Sequence, residues 1–269
     1  SDLFFLKQNL INQEEAQTLS NSSLGLTVDG SNSETVFGIR WYAQKNFGYD
    51  IKYIPGVMIP TVQLAIKRLK KISEKARLFA SLLENSDKFP RHELCPEVSD
   101  EQLLTKKQVL QALGFDESNY SDTTTARTSG NQFLAVRGLE RKNNIYSLND
   151  LNELIRSRLP EGFPYVPFST GNGVRIKWSE ALFSCFTFQF RKNTSPVLTE
   201  LWMPHIDTLN EDLAPTRKKK KGKNELVESN SIFQRWGYGD YSMTTHQFRH
   251  LLNTIANTNG MDSMLLAKW

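Results

Sequence analysis

A threonine, a glutamine three residues later and an apolar run behind them occupy residues 244–256, as Thr244-Thr245-His246-Gln247-Phe248-Arg249-His250 followed by Leu251-Leu252-Asn253-Thr254-Ile255-Ala256. That spacing writes a capping box. The Thr244 hydroxyl accepts from the amide three residues on, and the Gln247 side chain reaches back to the amide of Thr244. A helix started this way has one register, so the spacing also dictates which side chains share a face. His246 and Arg249, three apart, share one near the positive end of the helix dipole. A backbone phosphate suits that place, because free amides and the dipole favour an anion and arginine offers a planar pair of donors. The chemistry implied is phosphoryl transfer. A capped amphipathic helix with a solvated polar side has the same pattern, so the rest of the chain decides.

Residues 37–45 and 51–55 alternate apolar and polar around Asn46-Phe47-Gly48-Tyr49-Asp50, the pattern of a β-hairpin. Residues 60–84 place apolar side chains at helical spacing with a lysine- and arginine-rich opposite side, ordinary behaviour for a solvated helix face. Two further capped helices are expected, one opened by Thr105 and ended by Gly114, the other across residues 146–155. Residues 123–130, Thr-Thr-Thr-Ala-Arg-Thr-Ser-Gly, read as a flexible polar loop between them. Together residues 101–159 have the style of a small helix-turn-helix or winged unit that could read DNA. Residues 160–215 are aromatic-rich, with a helix expected over 179–191 and no chemistry assigned. Residues 216–230 read as a basic flexible loop, because Arg217, Lys218, Lys219, Lys220, Lys221 and Lys223 crowd into seven positions. Such a run binds phosphates by counterion release and carries no sequence specificity.

With 269 residues, 39% hydrophobic and 11% aromatic, the chain has enough apolar material for one large domain or two small ones. A net charge of +4 leans only mildly towards polyanions, so clustering of cations matters more than their total. Two cysteines, Cys95 and Cys185, are too few for a disulfide framework, and no apolar run is long enough for a membrane span or signal peptide. The composition therefore reads as cytoplasmic and membrane-free. His92 and Cys95 have half the spacing of a zinc site, but no second pair accompanies them, so no metal is expected.

The segment around His246 resembles the His-x-x-Arg box of the tyrosine recombinase (phage integrase) family, and other segments follow that family's order. The hairpin is similar to the one that presents the family's catalytic lysine, which falls here on Lys45; Lys52 on its second strand, with Arg40 on the first, falls to DNA backbone contact. Ser1-Asp2-Leu3 resembles the tail of the first box, whose arginine is not among these residues, and residues 260–269 resemble the helix ahead of the nucleophilic tyrosine. Arg77 is set aside as that first arginine because it follows Lys45 in the chain, whereas the family's arginine precedes it. The resemblance covers about residues 1–95 and 230–269 and implies a fragment of a longer enzyme. It implies a mainly α catalytic domain with a small antiparallel β-sheet (α+β), split into 1–100 and 231–269 around the inserts. It further implies cofactor-free strand exchange through a 3′-phosphotyrosine, with Lys45, His246 and Arg249 catalytic and His250 beside the DNA. The implied partners are double-stranded DNA and further copies of the protein in a synaptic tetramer, in a nucleoid-associated setting. A DNA-binding regulator built on such a domain is the alternative.

Overall fold

The computed structural model of the chain describes residues 37–43, 48–54, 59–120, 122–140, 142, 144–167, 175–191, 194–204, 206–214, 216–219, 226–239 and 241–258. In chain order the elements are β1 (Phe37–Ala43), β2 (Gly48–Ile54), α1 (Ile59–Asn85), α2 (Lys106–Ala112), α3 (Thr123–Val136), α4 (Leu148–Ser157), β3 (Cys185–Thr187), β4 (Val197–Trp202), α5 (Ile206–Leu213), β5 (Thr216–Lys219), β6 (Leu226–Ser229), α6 (Ile232–Arg235) and α7 (Thr245–Thr258). The described protein is mainly helical, and its strands pair only as antiparallel two-stranded sheets, β1 with β2, β3 with β4 and β5 with β6. The chain divides into two compact units: residues 1–66, 168–174 and 204–269 form one, residues 67–167 and 175–203 the other. The expected boundary at residue 100 therefore falls inside the second unit, and residues 160–215 are shared between both.

The second unit is built on α1. Ser73, Ala76, Phe79, Ala80 and Leu83 recur at three- and four-residue spacing and are its buried positions. That spacing makes one helix face apolar, which is why the segment is a helix and which way it turns. Phe79 meets Phe186 of β3 edge to face at 5.8 Å. The last carbonyls of α1 lack intrahelical partners and have no cation of their own in the final turn. Arg156 of α4 supplies one, its guanidinium donating to the carbonyls of Leu83 and Ser86. The Ser179 amide and hydroxyl bind the Glu84 carboxylate. These contacts explain why residues 67–100 do not separate from the helices that follow.

Local chemistry sets where the short helices begin. Thr105 and Gln108 close a capping box on α2, and Ser147 and Asp150 close one on α4. The Ser147 amide and hydroxyl hold the Asp150 carboxyl below the usual carboxylate range. Each such cap contributes about 1 kcal/mol, a large share for a helix of two turns. Leu110, Leu113, Leu134, Leu148 and Leu151 fill the space between these helices, all nearly inaccessible. Arg137 is buried at the end of α3 and pairs with Glu200 of β4 at 2.6 Å.

Three expectations are corrected. Residues 123–130 are the first half of α3, not a loop: Asp122 caps the helix through Thr125, and Ala126, Gly130 and Leu134 pack inward. Residues 179–191 are not a helix; tight turns lead into β3, whose Cys185 and Phe186 pair with Trp202 and Leu201 of β4. β3 stops at Thr187 because Phe188 takes φ +66° and opens a turn over residues 188–190, a backbone path that no helix over 179–191 could follow. The basic segment is partly a hairpin. β5 pairs with β6 so that Arg217 stands opposite Glu228 and Lys218 opposite Val227.

Candidate active site

α7 begins where the capping box puts it. The Thr244 amide donates to Gln247 Oε1 at 2.7 Å, and the Gln247 amide donates to Thr244 Oγ1 at 3.3 Å. Thr245, only 4% exposed, anchors the first turn: its amide and its hydroxyl both donate to Asn210 Oδ1 of α5 at 3.2 Å. Phe248, one turn later, stacks on Phe233 of α6 at 6.5 Å. α6 is in turn tied to α5 by the Arg235–Asp212 ion pair at 2.6 Å. The start of α7 is thus fixed from three directions, by its own cap, by α5 and by α6.

His246 lies exposed on this first turn. Its Nε2 is 2.8 Å from Nε2 of His250, with the rings perpendicular at 4.3 Å. One nitrogen donates and the other accepts, so the two imidazoles share a single hydrogen between facing atoms. The sequence spacing paired His246 with Arg249; the geometry pairs it with His250 four residues on. Two amides of the first turn are already occupied, that of Thr245 by Asn210 and that of Gln247 by the cap. An anion at this end therefore meets the helix dipole and side chains more than bare amides.

The other expected residues are placed as follows. Arg249 is in α7, one turn beyond His246, and its side chain lies outside the described residues. Lys45, Lys220, Lys221 and Lys223 lie outside the described residues altogether. Arg40 and Lys52 occupy neighbouring rungs of the β1–β2 ladder, paired with Ile51 and Ile39. Arg217, Lys218 and Lys219 form most of β5. The hairpin β1–β2, the strand β5 and α7 all fall in the first unit. Arg77 is folded back on its own helix, donating to Ser73 Oγ at 3.1 Å and to the Lys70 carbonyl at 3.2 Å.

Both half-site residues are engaged locally. His92 Nε2 binds the Ala112 carbonyl at 2.8 Å and its Nδ1 accepts from the Leu94 amide at 3.2 Å, which assigns the hydrogen to Nε2. Burial pushes the His92 pKa below its ordinary value, against the opposing pull of that carbonyl. Burial also raises the Cys95 thiol, and pushes the Cys185 thiol up to about 12.

Sequence reasoning missed Asn210 and the aromatic approach to α7. Trp236, Tyr238 and Tyr241 are exposed at 75%, 61% and 60%, in a Trp-Gly-Tyr-Gly-Asp-Tyr run just before the cap. Aromatic residues separated by glycines ahead of a capped helix were the available signal. Asn210 had none, being 35 positions from its partner. No family model matches the chain, and comparison with curated proteins and with solved structures finds no match.

Proposed function

We propose that the chain is part of a tyrosine-type site-specific DNA recombinase, in which Lys45, His246 and Arg249 act on a scissile phosphate. The observation that carries the reading is the capped, anchored start of α7, which fixes His246 in the first turn and Arg249 one turn on. Support also comes from order along the sequence, in which Lys45, expected to end the first strand of the hairpin, is followed much later by this helix. In the reaction a tyrosine oxygen attacks phosphorus, the 5′-oxygen leaves, and a 3′-phosphotyrosine forms. Arg249 holds the non-bridging oxygens as charge develops, His246 donates to phosphate or exchanges a proton with the tyrosine, and Lys45 protonates the 5′-oxygen. Attack by another strand's 5′-hydroxyl reverses the step. Residues 1–269 supply no position that resembles the nucleophile or the first-box arginine.

The test is a suicide-substrate assay with the gene product that carries this sequence and the tyrosine. A covalent DNA adduct stable to SDS is expected, reduced about a hundredfold or more by Arg249→Ala. Residues 1–269 alone should form none, and an adduct at Tyr238 or Tyr241 would relocate the nucleophile. Duplex binding without any adduct would favour the second reading, a DNA-binding regulator on the same scaffold. The observation that favours it is the group of capped helices α2 to α4, which has no counterpart in the catalytic roles above.

A further inference from the structure

α3 touches its own unit along a narrow stripe. Ala126, Gly130 and Leu134 are its buried positions, and a methyl group on Gly130 would stand 3.1 Å from Leu110 Cδ1. Glycine thus lets α3 lie close on α2 while most of its circumference faces outward. Thr124, Thr125, Arg127, Thr128 and Gln132 are exposed. At a hundred degrees per residue Thr124, Thr128 and Gln132 form one row along the outward side, with Arg127 and Asn131 on its flank. No residue of the helix bears a carboxylate. Asp122, just before it, is consumed as the cap, its oxygens taken by the Thr125 amide and hydroxyl at 2.7 and 2.6 Å. Those bonds hold the Asp122 carboxyl below the usual carboxylate range. Arg127 opens with Lys106 and Lys107 of α2 onto a cleft of about 620 Å³, where Glu117 and Asp122 are the acids; Lys106 itself binds Asn131.

The row ends on exposed Val136 with Ala135 beside it, an apolar last turn too short for an apolar partner, while its first three positions carry hydroxyls and an amide. Threonine, glutamine and arginine are among the side chains that read base edges, and flanking cations without acids along the helix suit phosphates. Fourteen residues at about 1.5 Å each give a rod long enough to lie in a major groove about 12 Å wide. We propose that α3 is the element by which this unit reads duplex DNA, with Thr124, Thr128 and Gln132 on base edges and Arg127 and Lys107 on adjoining phosphates. The inference rests on duplex DNA being the partner and is independent of strand cleavage.

The experiment selects duplexes from a random pool with the 269-residue chain, then titrates the selected and a random duplex. Thr128→Ala combined with Gln132→Ala should weaken the selected duplex about ten- to a hundredfold while leaving the random one nearly unchanged. Thr128→Asp, which sets a carboxylate in the groove, should weaken both. Lys107→Ala should weaken both equally and make the dependence of log K on log salt shallower by about 0.9. All these positions except Gln132's neighbours inward are solvent-facing, and an unchanged far-UV spectrum confirms that the variants fold. If the double variant selects the same sequence with the same affinity, α3 is not the reader, although DNA recognition elsewhere in the chain stands. A wild-type chain that binds no duplex overturns both this inference and the recombinase reading, whereas sequence preference without any adduct in the suicide assay overturns only the latter.

Discussion

Replacing Gly114 by alanine tests how α2 is held against β4. Gly114 has φ +82°, and a Cβ built on it would lie 2.6 Å from the Leu198 amide nitrogen and 3.1 Å from its Cα. Two costs follow. A left-handed conformation with a side chain costs about 1–2 kcal/mol. The contact is with strand backbone, which cannot swing away, so β4 must retreat by most of an ångström. That movement strains the bond from Thr199 Oγ1 to the Leu113 carbonyl, 2.8 Å and buried, and loosens Val197 and Leu198. Losing one buried hydrogen bond and part of two apolar contacts adds about 2 kcal/mol, for a total near 3–4 kcal/mol. Gly138 provides the control: its φ is +72° and a Cβ there meets nothing within 4 Å. Gly138→Ala should cost only the conformational part. Urea unfolding, followed by Trp178 and Trp202 in a background with Trp41, Trp236 and Trp269 changed to phenylalanine, reports on the second unit. With a urea slope of about 2 kcal/mol/M, Gly114→Ala should lower the midpoint by about 1.5–2 M and Gly138→Ala by about half that or less. Equal shifts for the two variants would refute the close approach of Gly114 to β4.

Three further outcomes are expected. His92 is kept neutral by burial, so below about pH 6.5 the unfolded chain binds a proton that the folded one does not. Stability should therefore be level above that pH and fall as pH drops through it; His92→Gln should flatten that fall in pH-dependent urea melts, and an unaltered profile would acquit His92. Glu200→Gln leaves buried Arg137 without its charged partner and should cost about 2–3 kcal/mol, while Arg137→Met with Glu200→Leu should cost less than the sum of the two single changes; strict additivity would show the pair is not coupled. Neutralising Lys218, Lys219, Lys220 and Lys221 should weaken specific and random duplexes alike and make the salt slope shallower by up to about 3.6; a loss confined to one sequence would mean that β5–β6 reads bases.

Helix starts were legible because a capping box spans only four residues, and those at Thr105, Ser147 and Thr244 lie where their spacing says. The β1–β2 hairpin was legible from its alternation, but Gly48, Tyr49 and Asp50, expected in the turn, pair instead with Ala43, Tyr42 and Trp41 as the start of β2. α3 was not, because Thr123, Thr124, Thr125, Ser129 and Gly130 are poor helix formers. What makes it helical is tertiary: the close approach to Leu110 and the burial of Leu134. β3 failed in the opposite sense, since its apolar spacing fits a helix over a short window and only pairing with β4 decides. At the candidate site the position of His246 was readable, but its pairing with His250 depends on side-chain rotamers that no spacing specifies.

The capping boxes have a consequence for how this chain tolerates change in length. Each one ties a helix to its own first four residues, so the register of the helix is independent of how much chain precedes it. Loops ahead of Ser147 and Ser231 can then gain or lose residues without rotating α4 or α6 about its axis. One residue added between Ser147 and Asp150, or between Ser231 and Gln234, instead breaks the box and turns the following face by a hundred degrees. Length variation within this protein is confined by its caps to the joints, while the rods between them keep their orientation.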